Sequence, residues 1–72
     1  MSTRKQARAR RAEVTRVLGE MQEIRARLMK AYACFDTSND PGLTEASIFE
    51  INALRAHYDH ALRSVKLKMS LQ

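Results

Sequence analysis

Val14, Val17, Met21, Ile24, Leu28, Ala31 and Phe35 recur at alternating spacings of three and four residues. That alternation is the a/d pattern of a coiled coil, and it predicts one long helix with one narrow apolar seam. Ser2 or Thr3 can open this helix, which should run to Phe35 or Asp36. Gly19 falls off the seam, where it should be tolerated at about 1 kcal/mol relative to alanine. The stretch Asp36-Thr37-Ser38-Asn39-Asp40-Pro41-Gly42 is the only one rich in helix breakers. Its short polar side chains compete for backbone groups and favour a turn. Asp40 before Pro41 reads as a helix N-cap followed by the first helical residue. A second helix should follow from Pro41 to about Met69, its apolar face holding Ile48, Ile51, Leu54, Tyr58, Ala61, Leu62, Val65 and Met69.

Two long helices joined by so short a turn make an antiparallel helical hairpin. The fold class is therefore all-α, with a basic overhanging arm over residues 1–12, a paired first helix over 13–36, a turn over 37–40 and a second helix over 41–69. Folding the chain at the turn pairs Phe35 with Ile48, Ala31 with Ile51, Ile24 with Tyr58, Met21 with Leu62, Val17 with Val65, and Val14 with Met69. In that register Leu28 alone meets a charge, Arg55, whose guanidinium would have to snorkel. Leu18, Tyr32, Leu54 and Ala61 are expected to flank the seam. Two helices bury only one stripe each, so these flanks are expected to pack on a second copy and form a four-helix bundle.

Charge sharpens the picture. The chain carries a net charge of +5. Arg4, Lys5, Arg8, Arg10, Arg11 and Arg16 against Glu13 account for all of it, because the remaining cations and anions cancel. The hairpin brings Arg63, Lys66 and Lys68 to the same end. Asp36, Asp40, Glu45 and Glu50 gather around the turn against Lys30, so the rod should be electrically polar along its length. A basic end of this kind can hold a nucleic-acid backbone or an acidic protein face. Arg4, Lys5, Arg8, Arg10 and Arg11 are the candidate anion contacts, with Arg4, Arg8 and Arg11 on one helical face. No aromatic residue interleaves them, so base stacking is not expected. The bland alternative is a solvated basic terminus that aids solubility.

Little else points to chemistry. His57 and His60 lie three apart, but Glu50 is seven residues from His57 and the first helix supplies no histidine, so no metal site is expected. Cys34 is the only cysteine. It excludes an internal disulfide, suits a reducing cytoplasm and reads as packing filler, since only Lys30 is near enough to activate it. Tyr32 and Tyr58 can bury a ring and wet a hydroxyl without any cofactor. No apolar run approaches the ~20 residues of a membrane span. No apolar segment follows the charged start, so a secretory signal is not expected. Two narrow helices cannot form a cleft of convergent acid and base groups, and neither an enzyme activity, a cofactor nor a small-molecule substrate is expected.

The segment from Tyr32 to Lys66 has a further texture. Phe35 precedes the turn, Asp40-Pro41 and Leu43 open the second helix, and Ile48, Phe49 and Glu50 follow, then Ala53, Tyr58, Leu62 and a basic residue at Lys66. This half of the chain resembles the YaaL-like family of short bacterial proteins, a domain of unknown function. The resemblance implies a small cytoplasmic bacterial protein and carries no activity with it.

Overall fold

A computed structural model describes residues 3–70 and consists of two helices, α1 over Thr3–Thr37 and α2 over Pro41–Ser70. They lie against each other as an antiparallel hairpin measuring 60 × 15 × 12 Å. α1 ends one residue past Asp36 and α2 one residue past Met69. Thr3 is helical, while Ser2 lies outside the described residues. From Thr3 on, the basic arm is part of the rod, since α1 runs unbroken over Thr3–Thr37.

The turn works as its composition suggests. At the end of α1, Thr37 donates its hydroxyl to the Ala33 carbonyl at 2.8 Å, and the Ser38 amide donates to the Cys34 carbonyl at 3.0 Å. The Asp40 amide donates to the Ser38 hydroxyl oxygen at 3.1 Å. Asp40 then caps α2: its Oδ1 accepts the Gly42 amide at 2.8 Å, and its carbonyl accepts the Thr44 amide at 2.9 Å as the first helical bond. Pro41 follows as the first helical residue, where its missing N–H orphans nothing. No described residue adopts a positive φ. The reversal is therefore made by side chains that satisfy helix ends, without the left-handed residue that often closes a helix.

The core is a single seam. Val17, Met21, Ala31, Ile51, Leu54, Ala61 and Val65 are buried, as is Ser47. Ile24, Leu28 and Tyr58 are half-buried on the same lines. Val14, Tyr58 and Leu62 pack against a central cluster of Val17, Met21, Ala61 and Val65. Matching the buried and half-buried positions along the rod pairs Val14 with Lys68, Val17 with Val65, Met21 with Ala61, Ile24 with Tyr58, Leu28 with Leu54, and Ala31 with Ile51, and the same step sets exposed Phe35 against Ser47. Every pair adds to the same total, so the ladder has no skip. Each rung sets an a position against a d position, as an antiparallel coiled coil requires.

Three of the expected rungs are thus kept, and three are corrected by one residue on α2. Ser47 replaces Ile48, Ala61 replaces Leu62, and Lys68 replaces Met69. Ile48 and Met69 are 45% and 59% exposed, and Phe35 is 38% exposed at the end of the ladder. The seventh rung changes most: Leu28 meets Leu54, and Arg55 stays outside. Leu54 and Ala61, expected on the flanks, are therefore core residues. The physical reason lies in Arg55. Turning α2 by one residue buries a leucine opposite Leu28, where the other phase would strand a guanidinium on the seam. The chain accepts a buried Ser47 in exchange, and no buried side-chain polar atom among the described residues lacks a partner.

Candidate interaction surface

With α2 in this phase, the two sides of the seam differ sharply. On one flank, α1 presents Arg4, Arg11, Leu18, Arg25 and Tyr32, each seven residues from the next. On α2 the matching row is Ile48, Arg55, Leu62 and Met69, again seven apart. Seven residues bring a side chain back to nearly the same side of a helix, two turns on. The hairpin sets Leu18 opposite Leu62, Arg25 opposite Arg55 and Tyr32 opposite Ile48. Leu18 and Tyr32 are 47% and 44% exposed, and Leu62 is half-buried. Tyr32, Phe35, Ile48 and Ile51 line one shallow cleft of about 350 Å³, edged by Asp36 and Arg55.

The opposite flank is polar. Glu13, Glu20, Arg27 and Cys34 run along α1, and Glu50, His57 and Ser64 along α2, with exposed Leu43 at the turn end of the same row. Shallow clefts of about 160 and 210 Å³ open here, and two more of about 410 and 350 Å³ lie beside His57, His60 and Ser64 on α2. The first is edged by Glu20, His57 and His60, the second by Glu23, Arg27 and His57. Among the described residues no group of three His, Cys, Asp or Glu side chains is placed to hold a metal ion. Arg16 sits between Glu13 and Glu20 and hydrogen-bonds both, meeting Glu13 through Nε at 3.1 Å and through a terminal nitrogen. Lys68 approaches Glu13 from α2 at 3.9 Å. The hydrogen bond from Arg16 holds the Glu13 carboxyl below its ordinary value against a smaller opposing effect of desolvation, and the positive charges of Arg16 and Lys68 add to the lowering. The same pairing raises Arg16 further. These charges are spent within the polar flank.

The basic pole is the third feature. Arg4, Lys5, Arg8 and Arg11 are exposed on a continuous helix. Arg10 differs from the other candidates: with Ala7 it continues the seam line of α1 toward the N-terminus and is half-buried. Charge alone groups Arg10 with the exposed cations, and extending the heptad into the arm sets it apart. Cys34 is exposed and does not fill the core. No helix among the described residues is long and apolar enough to cross a membrane.

No family model, curated protein or solved structure matches this chain. The YaaL-like texture of the turn and second helix therefore rests on those residues alone. The helical hairpin and its two unlike flanks stand on the structure.

Proposed function

We propose that this chain is a small non-enzymatic interaction module, a helical hairpin that self-associates through the flank of Leu18, Tyr32, Ile48 and Leu62 and serves as an adaptor. A bacterial, cytoplasmic setting belongs to the same reading, from the lone cysteine and the YaaL-like texture. The observation that carries it is the sidedness of the apolar residues. Leu18, Tyr32 and Ile48 are 44–47% exposed and share one flank with Leu62, while the other flank carries Glu13, Glu20, Arg27 and Cys34 on α1 and Leu43, Glu50, His57 and Ser64 on α2. A four-helix bundle would make these rows its second seam, while Met29, Leu43, Phe49 and Leu67 are exposed off this flank.

Light scattering across a concentration series tests this. A mass of twice the monomer, returning to the monomer in a Leu18→Arg/Tyr32→Arg variant that stays helical, supports it. A wild-type chain that remains monomeric at every concentration removes it.

The exposed stripe of Arg4, Arg8 and Arg11 on a rigid helix favours a second reading, a nucleic-acid-backbone contact at the basic pole. An extended helix can present cations to successive phosphates without reading bases. The two readings share Arg11, which lies at the edge of the self-association flank, and otherwise use different side chains.

A further inference from the structure

We infer that two copies of this chain dock with their hairpins antiparallel, in full overlap, so that Leu18 and Leu62 of each cover Tyr32 and Ile48 of the other. The inference rests on the self-association proposed above and adds its geometry. Three observations on the flank carry it.

The first is order along the rows. Both run apolar, arginine, apolar: Leu18, Arg25, Tyr32 on α1 and Ile48, Arg55, Leu62 on α2. A two-fold axis through the Arg25–Arg55 rung maps the Leu18–Leu62 rung onto the partner's Tyr32–Ile48 rung. The contact is then isologous, each patch meeting the other's counterpart.

The second is charge. Arg11, Arg63, Lys66 and Lys68 mark one end of the hairpin, and Asp36, Asp40 and Glu45 mark the other. Antiparallel docking brings each basic end beside the partner's acidic turn. Parallel docking would stack the two basic ends on each other.

The third is area. The flank from Arg11 to the turn is about 40 Å long at ~1.5 Å per residue. Two helices spaced 8–10 Å apart make it roughly 20 Å wide. Full overlap covers about 800 Å² per copy, the size of a standard stable interface. A dimer slipped to centre on the Tyr32–Ile48 cleft would overlap along only about half that length.

The arrangement leaves four guanidiniums, from Arg25 and Arg55 of both copies, around the axis. Like charges there oppose association. They also penalise any slip that would press an arginine rung onto a leucine rung, and so fix the register.

Cys34, exposed on the far flank, gives the test. A nitroxide on each Cys34 of the wild-type chain is read by pulsed dipolar spectroscopy. Cys34 lies nine residues from the axis rung. The two labels are therefore displaced by about 27 Å along the rod and roughly 20 Å across it, a separation near 35 Å. Parallel or slipped dimers put them near 20 Å, and that result with a dimeric mass overturns this geometry while leaving self-association standing. A monomeric mass overturns both. Arg55→Leu separates the register further: it removes like charge from the axis and should tighten the dimer about tenfold, whereas a weaker dimer shows that Arg55 meets acids and sinks the register.

Discussion

Lys68 of α2 lies 3.9 Å from Glu13 of α1, an ion pair between the two helices. It sits at the end of the seam, where Lys68 takes the rung opposite Val14. Glu13 is also held by Arg16, and its carboxyl is lowered from the ordinary value of 4.5. A group whose folded value is depressed stabilises the fold above its unfolded value, and that contribution is lost as pH falls through the folded value. Glu13→Gln should therefore lower the melting temperature slightly at about pH 7, with the difference shrinking at a second pH in the acid range below 4.5. Thermal melts of both proteins at the two pH values check it. A difference that persists unchanged in acid would assign the effect to packing.

The register of α2 is open to a sharper test. Leu54 is 7% exposed, and Arg55 beside it is exposed. Leu54→Ala should cost about 2–3 kcal/mol, the lower part of the range for a buried leucine because this seam is one layer thick. Ile48→Ala should cost the monomer less than about 1 kcal/mol, since Ile48 is nearly half exposed. Met21→Asp places a carboxylate in the central cluster and should abolish the cooperative fold. Denaturant melts at concentrations low enough to keep the chain monomeric rank the three variants. Equal costs at Leu54 and Ile48 would contradict the phase.

That ranking also explains what could be read before folding. The seam of α1 was legible because its apolar positions admit one phase only. The apolar face of α2 is wider, and Ile48, Leu62 and Met69 support a second phase one residue away from the true one. Choosing the larger side chains selects Ile48 over Ser47 and Leu62 over Ala61. What decides the phase is the pair Leu54 and Arg55 opposite Leu28, a contact that exists only once both helices are placed. The apolar flank was half legible for the same reason. Leu18 and Tyr32 stand off the α1 seam in the sequence, but their counterparts Leu62 and Ile48 leave the seam only when α2 takes its phase. Spacing by seven along each helix was the signal that could have found them.

The two glycines should respond differently to alanine. A Cβ on Gly19 meets nothing within 4 Å, so Gly19→Ala exchanges a poor helix former for the best one at no steric cost. It should add about 1 kcal/mol, equivalent to a rise of about 4–8 °C in Tm for a chain of this size. A Cβ on Gly42 falls 3.3 Å from Asp40 Oδ1, the oxygen that accepts the Gly42 amide. The capping carboxylate must give way, which offsets the gain in helix propensity. Gly42→Ala should therefore fall well below Gly19→Ala in Tm. Asp40→Ala, which removes the cap outright, should cost about 1 kcal/mol.

The basic arm separates binding from folding. Arg4, Lys5, Arg8 and Arg11 are exposed and bury no apolar surface of the seam. Replacing all four by glutamine should leave the thermal midpoint nearly unchanged, because exposed charges contribute little to stability. The same replacement should abolish retention on duplex DNA if the pole binds a phosphate backbone. For the wild-type chain, four cations predict a slope near −4 when log affinity is plotted against log salt, from about −0.9 per neutralised phosphate. Arg10 is the internal control. Half-buried on the seam line, it should lower the thermal midpoint when changed to glutamine and alter the salt slope less than Arg8→Gln does. A chain that shows no retention at low salt has no backbone-binding pole, whatever its charge. A slope carried equally by Arg8 and Arg10 would mean that the arm unwinds on binding and that its helical stripe is not the contact.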